Sequence, residues 1–151
     1  MVARKWKPGD TYSIHDGEFG TYYACIAMGG DCVFFDTNAD TALYELASID
    51  FFLRLPVVYP SIRRAGWQKI GVTPVVGRLA EKAYYRYQSA DMEKPAVWAL
   101  EDETYFFPAD GVPDNLEILA FWDAQYHILP LLRYHFHRID TPVISKISTA
   151  I

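Results

Sequence analysis

Two tight reversals, Asp16-Gly17 and Gly29-Gly30-Asp31, cut the first quarter of this chain into short pieces that can only run back and forth. Glycine adopts the positive φ angles of a tight turn without a Cβ clash, and aspartate supports such turns through its short side chain. The pieces between them, TYSIH at 11–15, residues 18–28 containing TYYACIAM, and CVFFD at 32–36, are rich in aromatic and β-branched residues, which suit a pleated strand. A three-stranded antiparallel meander is therefore expected at the amino-terminal end.

Downstream the pattern stays broken and mostly strand-like. Residues 37–50, TNADTALYELASID, place Leu43, Leu46 and Ala47 at helical spacing after an Asp or Thr cap, so helix and loop both remain open. FFLRLPVV at 51–58 reads as a strand whose Pro56 points to a sheet edge or a bulge, because proline cannot donate to the ladder. SIRRAG at 61–66 reads as one helical turn stopped by glycine, followed by a short strand at 67–70. AYYRYQ at 83–88 and AVWAL at 96–100 are strand-like, and Glu101-Asp102-Glu103 turns the latter into a strand at 104–107. GVPDN at 111–115 breaks the chain before LEILAFW at 116–122, which reads as a buried strand. Asp123 is placed to cap the helix LPLLRYHFHR at 129–138, with Pro130 in the first turn where its missing amide costs nothing. Residues 141–151 read as a last strand or a frayed end.

No repeat, heptad run or flexible linker divides residues 1–151, so one domain is expected. The ordering predicts an α+β fold, mainly antiparallel β, with a bent sheet or small barrel and one or two helices. At 151 residues and 51% hydrophobic, the chain is large and apolar enough to build a core without staples. Cys25 and Cys32 flank a turn and read as buried free thiols, with a cross-strand disulfide as the alternative. MVARKWKPGD lacks the apolar stretch of a leader, and no window approaches a membrane span, so a cytoplasmic, soluble protein is expected.

Several chemistries lack their residues. His135 and His137 stand two apart on a predicted helix and so point to different faces, and His127 precedes it, which leaves no shared metal site. His15-Asp16 reads as a solvated turn. No GxSxG is present, Cys25 lies within an apolar strand, and Gly29-Gly30 has neither the lysine nor the helix of a phosphate loop. Arg63, Arg64 and Arg86 beside Trp67, Tyr84, Tyr85 and Tyr87 imitate a base-stacking platform. A net charge of −5 opposes that reading and an anionic membrane alike. Neither catalysis nor a cofactor is expected, and what remains is aromatic surface with acidic loops, the material of protein recognition.

WKPGD at 6–10, the turn leading to Phe19-Gly20, the strand end Phe34-Phe35-Asp36, FFLRLPVV, and GWQKIG at 66–71 with Pro74 after it together resemble the immunity protein 26 family over residues 6–79. Members of that family stand beside toxin genes in bacterial polymorphic toxin and contact-dependent inhibition loci. The resemblance implies tight binding that occludes a cognate toxin domain, with Gly9 and Gly20 at turns and Trp67 plugging the sheet between Gly66 and Gly71. A toxin with a basic cleft, such as a nuclease, would suit an acidic inhibitor. Charge and loop position single out Glu101, Asp102, Glu103, Tyr105, Asp110 and Asp114 as the contact residues. The alternative is a small β-barrel module that holds a peptide or small ligand in an aromatic pocket lined by Tyr84, Tyr85, Trp98 or Trp122.

Overall fold

A computed structural model describes residues 6–140. Its larger sheet contains β1 (Asp10–His15), β2 (Thr21–Ile26), β3 (Cys32–Phe35), β4 (Phe51–Leu55) and β5 (Gln68–Val72), in the order β4-β3-β2-β1-β5 with every pairing antiparallel. The expected meander is present. Its first reversal is longer than a two-residue turn: a 3-10 turn at Gly17–Phe19 intervenes, and Asp16 N donates to Gly20 O at 2.9 Å. Asp16 itself is buried, so the solvated turn read from His15-Asp16 is corrected. The carboxylate is drawn inward by Tyr22, whose hydroxyl donates to it at 2.7 Å, and by Arg133 at 2.6 and 2.9 Å. β4 lies at the sheet edge, as Pro56 just beyond it required.

The larger sheet is covered on both sides. Tyr12, Ile14, Tyr22, Ala24, Phe34 and Leu55 face one core, and Tyr23, Cys25, Val33 and Phe35 face another with Leu46 and Leu79. Strand alternation sends neighbouring residues to opposite faces, so β2 and β3 are apolar almost throughout. Burying each large side chain contributes about 1.5–3 kcal/mol relative to exposure. The same alternation settles the cysteines: Cys25 pairs in register with Val33 and Cys32 with Ile26, so the two thiols lie on opposite faces, buried and free.

Among the described residues, three helices rather than one or two complete the fold. α1 (Leu43–Leu46) is the helical part of the ambiguous stretch at 37–50, and Glu45 Oε1 accepts from Ala42 N at its start. α2 (Tyr59–Arg64) carries Pro60 in its first turn and gives way at Gly66, whose φ of +77° ends the helix. Trp67 follows and is buried, its ring against Tyr12 and edge-on to Phe34. Gly71 serves differently: a Cβ there would overlap Leu43 Cδ2, so the missing side chain lets α1 close over β5. Two glycines thus fence the tryptophan for separate reasons.

α3 (Leu129–His137) is preceded without a break by a π-turn at Ala124–Ile128. Asp123 caps that turn, its Oδ1 accepting from Gln125 N and Tyr126 N at 2.9 Å. Pro130 stands in the first turn of α3, as expected, and the π-turn before it makes the helical segment continuous. The widened ladder, with both His127 N and Ile128 N donating to Asp123 O, lies just ahead of the residue that has no amide to give. Phe136 and His137 pack against Tyr22, and Phe19 packs against His137, docking the end of α3 on the sheet.

The smaller sheet holds β6 (Tyr84–Tyr87), β7 (Ala96–Ala99) and β8 (Thr104–Phe106) in that order, antiparallel. Residues 116–122, expected as a buried strand, form none. They touch β6 at one bridge, Arg86 with Ile118, and the end of β4 at another, Val57 with Trp122, while Ile118 and Phe121 stay exposed. The segment spans from one sheet to the other and spends its backbone bonds on both, so no ladder can grow on either. The fold is α+β, mostly antiparallel, in two separate sheets rather than a closed barrel. Residues 141–151, read as a strand or a frayed end, lie outside the described residues. Among the described residues no helix is long and apolar enough to cross a membrane.

Candidate binding surface

β8 is an edge strand with every residue exposed, and its apolar side chains are large: Tyr105, Phe106 and the following Phe107 are 45%, 46% and 47% exposed. The pairing register shows how the rings divide. Tyr105 lies opposite Trp98, and the centroids of Tyr87 and Trp98, Tyr87 and Tyr105, and Tyr105 and Phe107 are 5.1, 5.5 and 5.8 Å apart. Phe106 points to the other face, edge-on to Tyr84 at 6.5 Å. Aromatic ladders of this kind stabilise a short sheet, yet an exposed edge also offers unpaired backbone groups to a partner.

Of the six residues singled out by charge and loop position, Tyr105 lies in this sheet and the other five lie in the turn and loop on either side of β8. Glu101, Asp102 and Glu103 form the turn between β7 and β8, Tyr105 is central in β8, and Asp110 and Asp114 lie in the loop beyond it; all six are exposed. β8 is three residues long, so the two acidic groups flank a strand of roughly 10 Å. Asp102 is paired with Lys82 at 3.6 Å, and Glu103 holds a left-handed backbone at φ +50°. The four residues proposed for an aromatic pocket do not converge. Tyr84 and Tyr85 point to opposite faces of β6, Trp98 lies across from Tyr85, and Trp122 sits at the Val57 bridge against His127.

A second feature had no counterpart in the sequence reading. Between the sheets lies a cleft of about 300 Å³ whose walls include Phe51, Arg54, Arg78, Lys82, Tyr84 and Glu117. Glu117 Oε2 is buried with no hydrogen-bond partner among the described residues, and burial pushes the carboxyl up to about 7. Glu117 can therefore gain or lose a proton near neutrality, but neither histidine nor cysteine lines the cleft beside it. Its only trace in the sequence was one carboxylate inside the apolar run LEILAFW.

The remaining candidates resolve into structure. Among the described residues no three of His, Cys, Asp and Glu gather as a metal site. His127 Nδ1 accepts from Asp123 N at 2.9 Å, and His135 stacks on Phe52 while bonding Asp36 at 2.8 Å. Trp67 is buried and Arg64 faces Asp123, so no base-stacking platform forms around them. The chain matches no family model, no curated protein and no solved structure.

Proposed function

We propose that this chain is an immunity-type inhibitor that binds a basic toxin domain through the edge of its smaller sheet and carries out no reaction itself. The observation that carries this reading is the exposed aromatic strand β8 with carboxylates at both ends, Glu101 to Glu103 on one side and Asp110 and Asp114 on the other. Large stiff rings supply contact area at low entropic cost, and a surrounding acidic field speeds the approach of a basic partner and disfavours an acidic one. The resemblance of residues 6–79 to the immunity protein 26 family supplies the class of partner, and the net charge of −5 agrees in sign. A standard interface covers on the order of 800 Å² per partner, an area that one face of a domain this size can offer.

The test begins with the coding sequence immediately upstream. A large secreted protein ending in a small cytotoxic domain is expected there, and co-expression of the two should restore growth. Glu101→Lys, Asp102→Lys and Glu103→Lys together should weaken the complex by at least about tenfold. Unchanged affinity would remove that turn from the interface. A locus without a toxin, or turnover by the purified chain alone, would overturn the class.

A further inference from the structure

Beside the cleft at Glu117, sharing Tyr84 and Leu116 with it, an apolar hollow of about 390 Å³ lies against the Tyr84 face of the smaller sheet. Register places Tyr84, Val97 and Phe106 on that face, and Pro108, Asp110 and Leu116 complete the walls with neighbouring loop residues. The loop is stiffened by Pro108 and Pro113 and closed by Gly111 N donating to Pro108 O at 3.1 Å. Asp110 is the one charged residue in the lining. The interior cleft at Glu117 differs, since its cations Arg54, Arg78 and Lys82 all already face carboxylates.

We infer that this hollow seats an arginine side chain of the partner, its stem along Tyr84, Val97 and Phe106 and its guanidinium on Asp110. The inference rests on the inhibitor reading and specifies what the partner presents. Three occupants can be weighed on chemistry. An apolar side chain would use only the apolar half of the site and leave the exposed Asp110 carboxylate unpaired. An anion would meet Asp110 directly. A guanidinium satisfies both halves of the site, because it is weakly hydrated, lies flat on aromatic rings and forks onto a carboxylate. The rings here have room for one: Lys94 stands over Phe107 at 5.0 Å, whereas no cation stands over Phe106 or Tyr84 among the described residues.

The probe is n-butylguanidinium, set against the neutral isostere n-butylurea, each titrated into the full chain and followed by amide chemical shifts. The cation should shift Val97, Phe106 and Asp110 saturably at ~10 mM, with the urea roughly fivefold weaker or worse, as expected for so small a ligand. Asp110→Asn, at an exposed position, should erase the difference between the probes while the rest of the spectrum stays folded. Equal binding of both probes, or no saturable shift by ~50 mM, would overturn the inference. The titration uses no toxin, so the two proposals fail separately. Without probe binding, the hollow is lost even where growth rescue survives; with probe binding but no rescue by the wild-type chain, the inhibitor reading is lost instead.

Discussion

The Tyr85 hydroxyl crosses between the two sheets and donates to Asp31 Oδ2 at 2.5 Å. Asp31 lies in the turn between β2 and β3 with its side chain fully buried, and Arg54 from β4 forks onto it at 2.6 and 3.1 Å. The smaller sheet is thus fastened to the larger through a carboxylate that is itself neutralised by the larger sheet. Tyr85→Phe removes the donor and leaves that charge paired, so it should cost about 1–2 kcal/mol. Arg54→Ala strands the charge, and about 3–5 kcal/mol is expected. Urea unfolding of both variants checks the order, and equal losses would mean that removing Arg54 does not strand the charge of Asp31.

Glu117 should make the protein less stable as the solution turns alkaline. Burial raises its folded value from 4.5 to about 7, so the folded state prefers the neutral acid. Its contribution is fully present below 4.5 and is lost as pH rises through about 7. Allowing for solvent screening of a half-buried group, the loss is on the order of 1 kcal/mol. Glu117→Gln should flatten the dependence and unfold at higher urea than wild type at ~pH 8. A variant that follows the wild-type profile throughout would place the titration elsewhere.

Asp16 works in the opposite sense. Burial pushes its carboxyl up, but the hydrogen bonds from Arg133 and Tyr22 outweigh that and hold it below the ordinary 3.8. Its contribution is present above 3.8 and disappears as pH falls through the lower folded value. Asp16→Asn should therefore cost about 1–3 kcal/mol near neutrality and little in strong acid. Amide exchange should show the loss first in α3, which Arg133 ties to the turn at Asp16. Uniform loss across the sheet would argue against that local docking.

Gly71→Ala should destabilise by about 1–3 kcal/mol, because its φ of +151° strains an alanine and the new methyl meets Leu43. Leu43→Ala opens that space, so the double variant should be less damaged than the sum of the two, with a coupling of roughly 1 kcal/mol. Additive losses measured by thermal unfolding would mean that α1 does not rest on β5 there.

The meander and the β7–β8 hairpin were legible because their signals are local: glycine or acidic residues at the reversals, and aromatic or β-branched runs between them. Residues 116–122 were misread for the same reason. LEILAFW has the composition of a strand, but whether a strand forms depends on a neighbour with a free edge, and here Arg86 and Val57 each offer a single bridge. The π-turn that Asp123 starts ahead of α3 was not legible, because it leaves no mark in apolar spacing. The acidic and aromatic residues of the candidate surface came from turn chemistry and charge. The Asp31, Arg54 and Tyr85 junction joins positions 23 and 54 residues apart, and the Glu117 cleft is closed by both sheets, so neither is written in any local window.

β2 and β3 spend nearly every side chain on an interior, one core above and another below. Such strands have no outward vocabulary: a change in either is felt as volume, never as a new message to a visitor. Surface change that spares the framework is confined to the perimeter, and β8, three residues long with an unpaired outer edge, is one such place.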